Sequence, residues 1–244
     1  MKLLKYEIRK GLTLKLILLG LFVLLQGLFT YGCLAHDSSK AVLGGSLLFL
    51  VGVFGIMALG IQSMLTLHKD MNTKQAYMLF MTPKSCYAIL GAKLAESVIA
   101  ILLAAGLCAG AAVVDYRLML QHFGELADLT EMLKELTTAL NLKMDIMSIV
   151  TFGASLLFSW IFMVTTAYLA DVLVSSLFRG KKFGGLLAFI LFVVLNSLLS
   201  HAIGLVEVAG SATVQILVNA GLNLVASAVM YVATAYIMET KLSV

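Results

Sequence analysis

The sequence predicts an all-α membrane protein that crosses the bilayer six times, and three observations carry that expectation. Of its 244 residues, 61% are hydrophobic and 12% charged, and its mean hydropathy is +1.02. A soluble domain of this size carries about a quarter charged residues. The charges are also clustered, leaving uncharged runs at 16–36, 41–68, 97–114, 146–170, 183–206 and 208–238. Each run reaches or approaches the roughly 20 residues a helix needs to cross about 30 Å of hydrocarbon. Finally, Lys and Arg concentrate in alternate connections, as the positive-inside rule requires. Placing 1–15, 63–85, 171–182 and 239–244 on one side gathers twelve of the seventeen basic residues there. Lys40, Arg117, Lys134 and Lys143 stay opposite, and Lys93 falls inside a span. Both termini are therefore expected in the cytosol. The net charge of +4 follows from this bias and gives no reason to invoke nucleic acid.

Residues 2–10 alternate charge and bulk, so Leu4 and Ile8 share a face while Lys5 and Arg9 reach headgroups. This predicts a short interfacial helix that contains Tyr6, with an elbow at Gly11. The first span, about 12–32, includes Gln26. Its apolar run is longer than a signal-peptide core, which favours an uncleaved helix over a leader. Span two, about 41–62, holds Gly44, Gly45, Gly52, Gly55 and Gly60, residues that let helix backbones approach closely in lipid.

The next stretch, 62–96, is the only substantial polar interruption in the first hundred residues. Asn72 and Gln75 have capping-box spacing, and Pro83 stops a helix or starts the next. Between them Tyr77, Met78, Phe80 and Met81 offer an apolar surface on a basic loop, suited to docking a cytosolic partner or to resting on headgroups. Span three, about 86–114, opens with Lys93 and Glu96 on one face. Charges at that depth need partners, and Asp171 at the cytosolic end of span four could join them in an ion network.

The long outer connection, 115–147, repeats Leu126, Leu129, Leu133, Leu136 and Leu140 at helical spacing against an acidic face, which predicts an amphipathic helix. Span four covers about 147–170, span five about 184–203 with Asn196, and span six about 213–237. A short external or re-entrant element is expected at 204–212, because the last uncharged run exceeds what the membrane needs. Along span six, Gln215, Asn219 and Asn223 recur every fourth residue. Such amides must face protein or a cavity, as helix–helix glue, a translocation path or a dimer seam.

No His-Glu-x-x-His, Gly-x-Ser-x-Gly or phosphate-loop motif occurs. The chain is expected to bind no cofactor or metal of its own, and His122 with Glu125 would supply too few ligands for a metal site.

The basic N-terminal stretch Leu4-Lys5-Tyr6-Glu7-Ile8-Arg9-Lys10, the segment Tyr77-Met78-Leu79-Phe80-Met81-Thr82-Pro83-Lys84 and the following Ile89-Leu90-Gly91-Ala92-Lys93-Leu94 together resemble an ABC-2 type transporter permease. The likeness extends over the layout of the whole chain, with 77–94 carrying most of it. It implies one transmembrane subunit of a bacterial plasma-membrane exporter, working as a dimer with the same or a related permease. A separate ABC ATPase, which would bind ATP and Mg, would dock on residues 72–82 as the coupling helix, with 2–10 as the elbow helix. The substrate would be a hydrophobic or amphipathic compound such as an antimicrobial peptide, lipid or drug. The residues also leave room for an ATPase-independent membrane enzyme or immunity factor, and less so for an ion-coupled transporter, which would show internal repeats.

Overall fold

Helices form where the uncharged runs lie, and three of them continue well past the expected spans. The computed structural model describes residues 2–72, 85–123, 146–177, 184–206 and 212–242. These form α1 (Lys2–Lys10), α2 (Leu12–Leu34), α3 (Ser38–Asn72), α4 (Cys86–Phe123), α5 (Ile146–Leu177), α6 (Gly184–Gly204) and α7 (Ala212–Ile237), the last ending in a π-helical turn at Met238–Leu242. No strand occurs among the described residues. Six helices, α2 to α7, are long and apolar enough to cross a membrane, which is the pattern of a multi-pass membrane protein.

The expected boundaries fall short in three places. Helix α3 continues beyond residue 62 to Asn72, α4 beyond residue 114 to Phe123, and α5 beyond residue 170 to Leu177. None of 62–72, 115–123 and 171–177 contains Gly or Pro, so nothing in the backbone stops the helix at the expected end of the span. Asn72 is the last described residue of α3, and the capping box it was expected to open lies outside the described residues. Gln75, Tyr77, Met78, Phe80 and Met81 lie outside the described residues, as do 124–145, the basic loop 178–183 and most of the 204–212 element.

Helix α1 forms over the expected residues. Lys5, Tyr6 and Arg9 are exposed and Leu4 and Ile8 half-buried, but Glu7 is buried. Gly11 gives only a shallow break: its N–H bonds to the Glu7 carbonyl at 3.3 Å and its own carbonyl accepts from Lys15 at 3.5 Å.

The chain forms two compact units: Lys5–Gly60 with Ile99–Asn141, and Ile61–Val98 with Leu142–Val244 and Met1–Leu4. The first is built on the α2–α3 hairpin. Ala35 N–H bonds to the Tyr31 carbonyl at 2.9 Å and Asp37 N–H to the Gly32 carbonyl at 3.1 Å, closing α2 with His36 in the left-handed region at φ 52°. Asp37 then caps α3, accepting from Lys40 N–H at 3.3 Å. Lys40 Nζ lies 3.0 Å from the same carboxylate, and this hydrogen bonding holds the Asp37 carboxyl below its usual range.

The hairpin is tight because two residues lack side chains. A Cβ on Gly32 would sit 2.5 Å from the Ala41 nitrogen, and one on Gly44 would sit 2.8 Å from Phe29 Cα. Of the span-two glycines, Gly44 therefore serves close approach; Gly45 and Gly55 meet ordinary contacts, and Gly52 meets nothing within 4 Å. Gly106 and Gly110 of α4 are likewise open, with nothing within 4 Å of either position. Phe29, Cys33 and Ala41 are buried together, against Leu118 and Met119 of α4. Replacing Gly32 or Gly44 by Val is expected to cost about 1–3 kcal/mol through overpacking, whereas Gly52→Ala is expected to be near neutral. Denaturant unfolding in mixed micelles would separate the two classes.

In the other unit α5 is the central helix. Of its most apolar window 61% is buried, against 6% for α6 and 17% for α7. Its buried face runs through Trp160, Val164, Ala167, Tyr168 and Asp171, and Ala167 and Val174 pack with Met64 of α3 and Ala188 of α6.

Candidate functional site

The chemistry-bearing side chains of this unit converge on the last three turns of α3. Buried Met64, Leu67 and Met71 recur there at helical spacing, continuing an apolar face into polar sequence. The polar residues between them bond to different neighbours. Ser63 Oγ and Tyr168 Oη of α5 lie 2.6 Å apart. His68 Nδ1 lies 2.5 Å from Asp171 Oδ1 of α5. Lys93 Nζ of α4 donates to Asp70 Oδ2 at 2.5 Å. Residues 68 and 70 are two apart, so they point to nearly opposite sides of the helix. The end of α3 is thereby tied to α5 on one side and α4 on the other.

Lys93 and Asp70 are both withdrawn from solvent, 2% and 5% exposed along their side chains, whereas Asp171 is 0% exposed and His68 keeps 22%. Asp171 Oδ2 has no hydrogen-bond partner among the described residues, so His68 carries that carboxylate. The imidazole also lies against the start of α6, where a Cβ on Gly185 would stand 3.5 Å from Nε2.

The sequence reading grouped Lys93, Glu96 and Asp171 as one ion network; the bonds seen run to other residues. Lys93 bonds to Asp70 and Asp171 to His68, while Glu96 is half-buried. The expected second span ended at about residue 62, which left His68 and Asp70 outside it. The spacing of Met64, Leu67 and Met71 is the signal that places them on a buried helix face.

Further along α5, Trp160 Nε1 donates to Ser97 Oγ of α4 at 3.0 Å. Asn223 Nδ2 of α7 donates to Ser159 Oγ at 3.3 Å. The amide stripe of α7 thus works partly as glue. Gln215 turns to the Val206 carbonyl at 2.7 Å and to Asn219 at 3.3 Å, whereas Asn196 of α6 is half-buried with Ser197 and Ser200 exposed. At the other end of α7, Tyr231 Oη donates to the Tyr87 carbonyl at 2.6 Å, in the first turn of α4, which Ser85 caps through Ala88 N–H at 3.4 Å. Gly91 makes room for this bond, since a Cβ there would be 3.0 Å from Tyr231 Oη. A Gly91→Val variant is expected to expel the hydroxyl and cost about 1–3 kcal/mol, and Tyr231→Phe in that background should cost little more. A double-mutant cycle on unfolding free energies checks this.

Comparisons with protein-family models, curated proteins and solved structures found no match to this chain. The functional reading therefore rests on the residues themselves. No group of three or more His, Cys, Asp or Glu suited to a metal ion occurs among the described residues. In the other unit, Gln26 donates to Asp115, which the sequence placed in an outer loop. Helix α4 carries that aspartate on an apolar helical stretch beside α2.

Chemically, the seam is suited to holding helices in register. A buried ion pair adds little net stability, because desolvation offsets attraction, but it penalises every arrangement that separates the partners.

Proposed function

We propose that this chain is the membrane-spanning permease subunit of an ATP-driven exporter of the ABC-2 type. It would move a hydrophobic or amphipathic substrate outward, with ATP and Mg bound by a separate cytosolic ATPase. A second permease, identical or related, would complete the pathway across a bacterial plasma membrane, with both termini cytoplasmic. The supporting observation is the end of α3. It reaches Asn72, where the segment 72–82 read as an ATPase-docking helix begins, and its last turns are tied to α4 by a buried Lys93–Asp70 pair and to α5 by His68 on buried Asp171. Force applied at 72–82 would enter a braced helix end. Alternating access needs such a connection between a docking surface and the spans. In this reading α1 serves as the elbow helix, with Lys5, Tyr6 and Arg9 toward headgroups, and Asn196, Gln215 and Asn219 lie toward the translocation path or dimer seam.

One observation favours the membrane-enzyme alternative: His68 and Asp171 form an oriented imidazole–carboxylate pair, the arrangement of a general base. The aspartate is wholly buried, which suits a brace better than a reaction site. Purification of the tagged chain from mild detergent tests the proposal. A co-purifying ATPase whose hydrolysis rate rises with the permease present is expected; a chain that is active alone would favour the enzyme.

A further inference from the structure

We propose that Asp115 and Gln26 form a proton-binding site in the unit built on the α2–α3 hairpin, where the carboxyl holds a proton at neutral pH and releases it in alkaline medium. The ligand is the proton itself, and the site stands whether or not an ATPase partners the chain. Asp115 lies within the apolar stretch Cys86–Met119 of α4. Leu118 and Met119, one turn further on, pack against Phe29 and Cys33 of α2, which puts Asp115 on the side of α4 that faces α2. Gln26 lies one turn before Phe29 and donates through Nε2 to Asp115 Oδ1. Both residues stand eight positions short of their helix ends at Leu34 and Phe123, about 12 Å along each helix.

As an amide and a carboxylate the two side chains fit poorly. Gln26 Oε1 is buried and has no hydrogen-bond partner among the described residues. Nor does any neighbouring group supply a counter-charge. The positions one turn from Asp115 on its own helix are Ala111, Ala112, Leu118 and Met119, and those one turn from Gln26 are Phe22, Val23, Phe29 and Thr30. Tyr116 and Arg117 are exposed and, as the next two residues, point to other sides of α4. From α2 the nearby titratable group is the buried Cys33 thiol, while Tyr31 is exposed beneath Lys40. At the start of α3, Lys40 is bound to Asp37, and His36 is exposed at the turn.

A carboxylate in hydrocarbon without a counter-charge is costly, and neutralisation by a proton relieves the cost. The same proton supplies the missing donor. The acid O–H donates to Gln26 Oε1 while the acid carbonyl goes on accepting from Nε2, so both side chains are satisfied in one ring. Release of the proton reverses both gains and leaves a bare charge at the contact between α2 and α4, which is therefore held more weakly as the pH rises.

Infrared spectroscopy of the whole chain in nanodiscs, titrated from neutral to alkaline pH, tests the site. The carbonyl stretch of a protonated carboxyl is expected at neutral pH, lost on alkalinisation and absent from Asp115→Asn, whose amide can keep the bond to Gln26. Gln26→Leu is expected to shift the band, because the acid loses the partner of both its oxygens. If Asp115→Asn does not fold, Asp115→Glu is read instead and should move the band; an unmoved band would belong to another acid and overturn the proposal. Identical carboxyl regions for the unsubstituted chain and Asp115→Asn at neutral pH would overturn it too, by showing an ionised Asp115. A band that Asp115→Asn removes but alkali leaves in place would mark a fixed acid that exchanges no proton, with the same consequence. A band that Gln26→Leu leaves unmoved would overturn the pairing.

Discussion

A His68→Leu chain is expected to lose about 3–5 kcal/mol of unfolding free energy, the usual result of removing one partner of a buried charge pair. The reason lies in Asp171. Its side chain is 0% exposed, its Oδ1 is 2.5 Å from His68 Nδ1, and its Oδ2 has no hydrogen-bond partner among the described residues. Leucine keeps the bulk against Gly184 and Gly185 but leaves the carboxylate without its imidazole. Adding Asp171→Leu should recover most of the loss, because the second change removes the stranded group. The measurement is denaturant unfolding in mixed micelles of both single variants and the double. Simple additivity of the single losses would contradict the pairing. So would a His68→Leu cost below about 1 kcal/mol, the range of exposed pairs.

Lys93→Met is expected to be comparably damaging, at about 3–5 kcal/mol, since it deprives Asp70 of an ammonium 2.5 Å away in a site where both side chains are at most 5% exposed. The apolar pair Asp70→Leu/Lys93→Met should return to within about 1–2 kcal/mol of the unsubstituted chain, because desolvation of both charges is relieved at once. Raising the salt concentration should change neither result much, as buried pairs are poorly screened. A double variant as unstable as Lys93→Met would show that the pair contributes more attraction than its desolvation costs.

The six apolar helices were legible because a run long enough to cross hydrocarbon is a property of composition, independent of packing. Helix ends were not, and the candidate site depended on them. Hydropathy marks where apolar residues stop, whereas a helix stops where its backbone is interrupted. Ten residues of α3 beyond residue 62 therefore passed for loop, and His68 and Asp70 with them. Lys93 and Asp171 were recognisable as charges needing partners; which partner each found was decided by the rotation of α3 between α4 and α5. Asn223 and Tyr231 are anchored to protein, as an amide and a phenol in hydrocarbon must be. Gly32 was overlooked, since only its distance to the Ala41 backbone reveals its role.

The permease role turns on whether segment 72–82 meets an ATPase. A photoactivatable crosslinker on a Tyr77→Cys chain, activated in native membranes, tests that contact most directly. The account predicts one dominant adduct that binds ATP, and it predicts loss of that adduct when Phe80 is replaced by Asp. Adducts only to lipid, unchanged by Phe80→Asp, would show a segment resting on headgroups and would contradict the permease role.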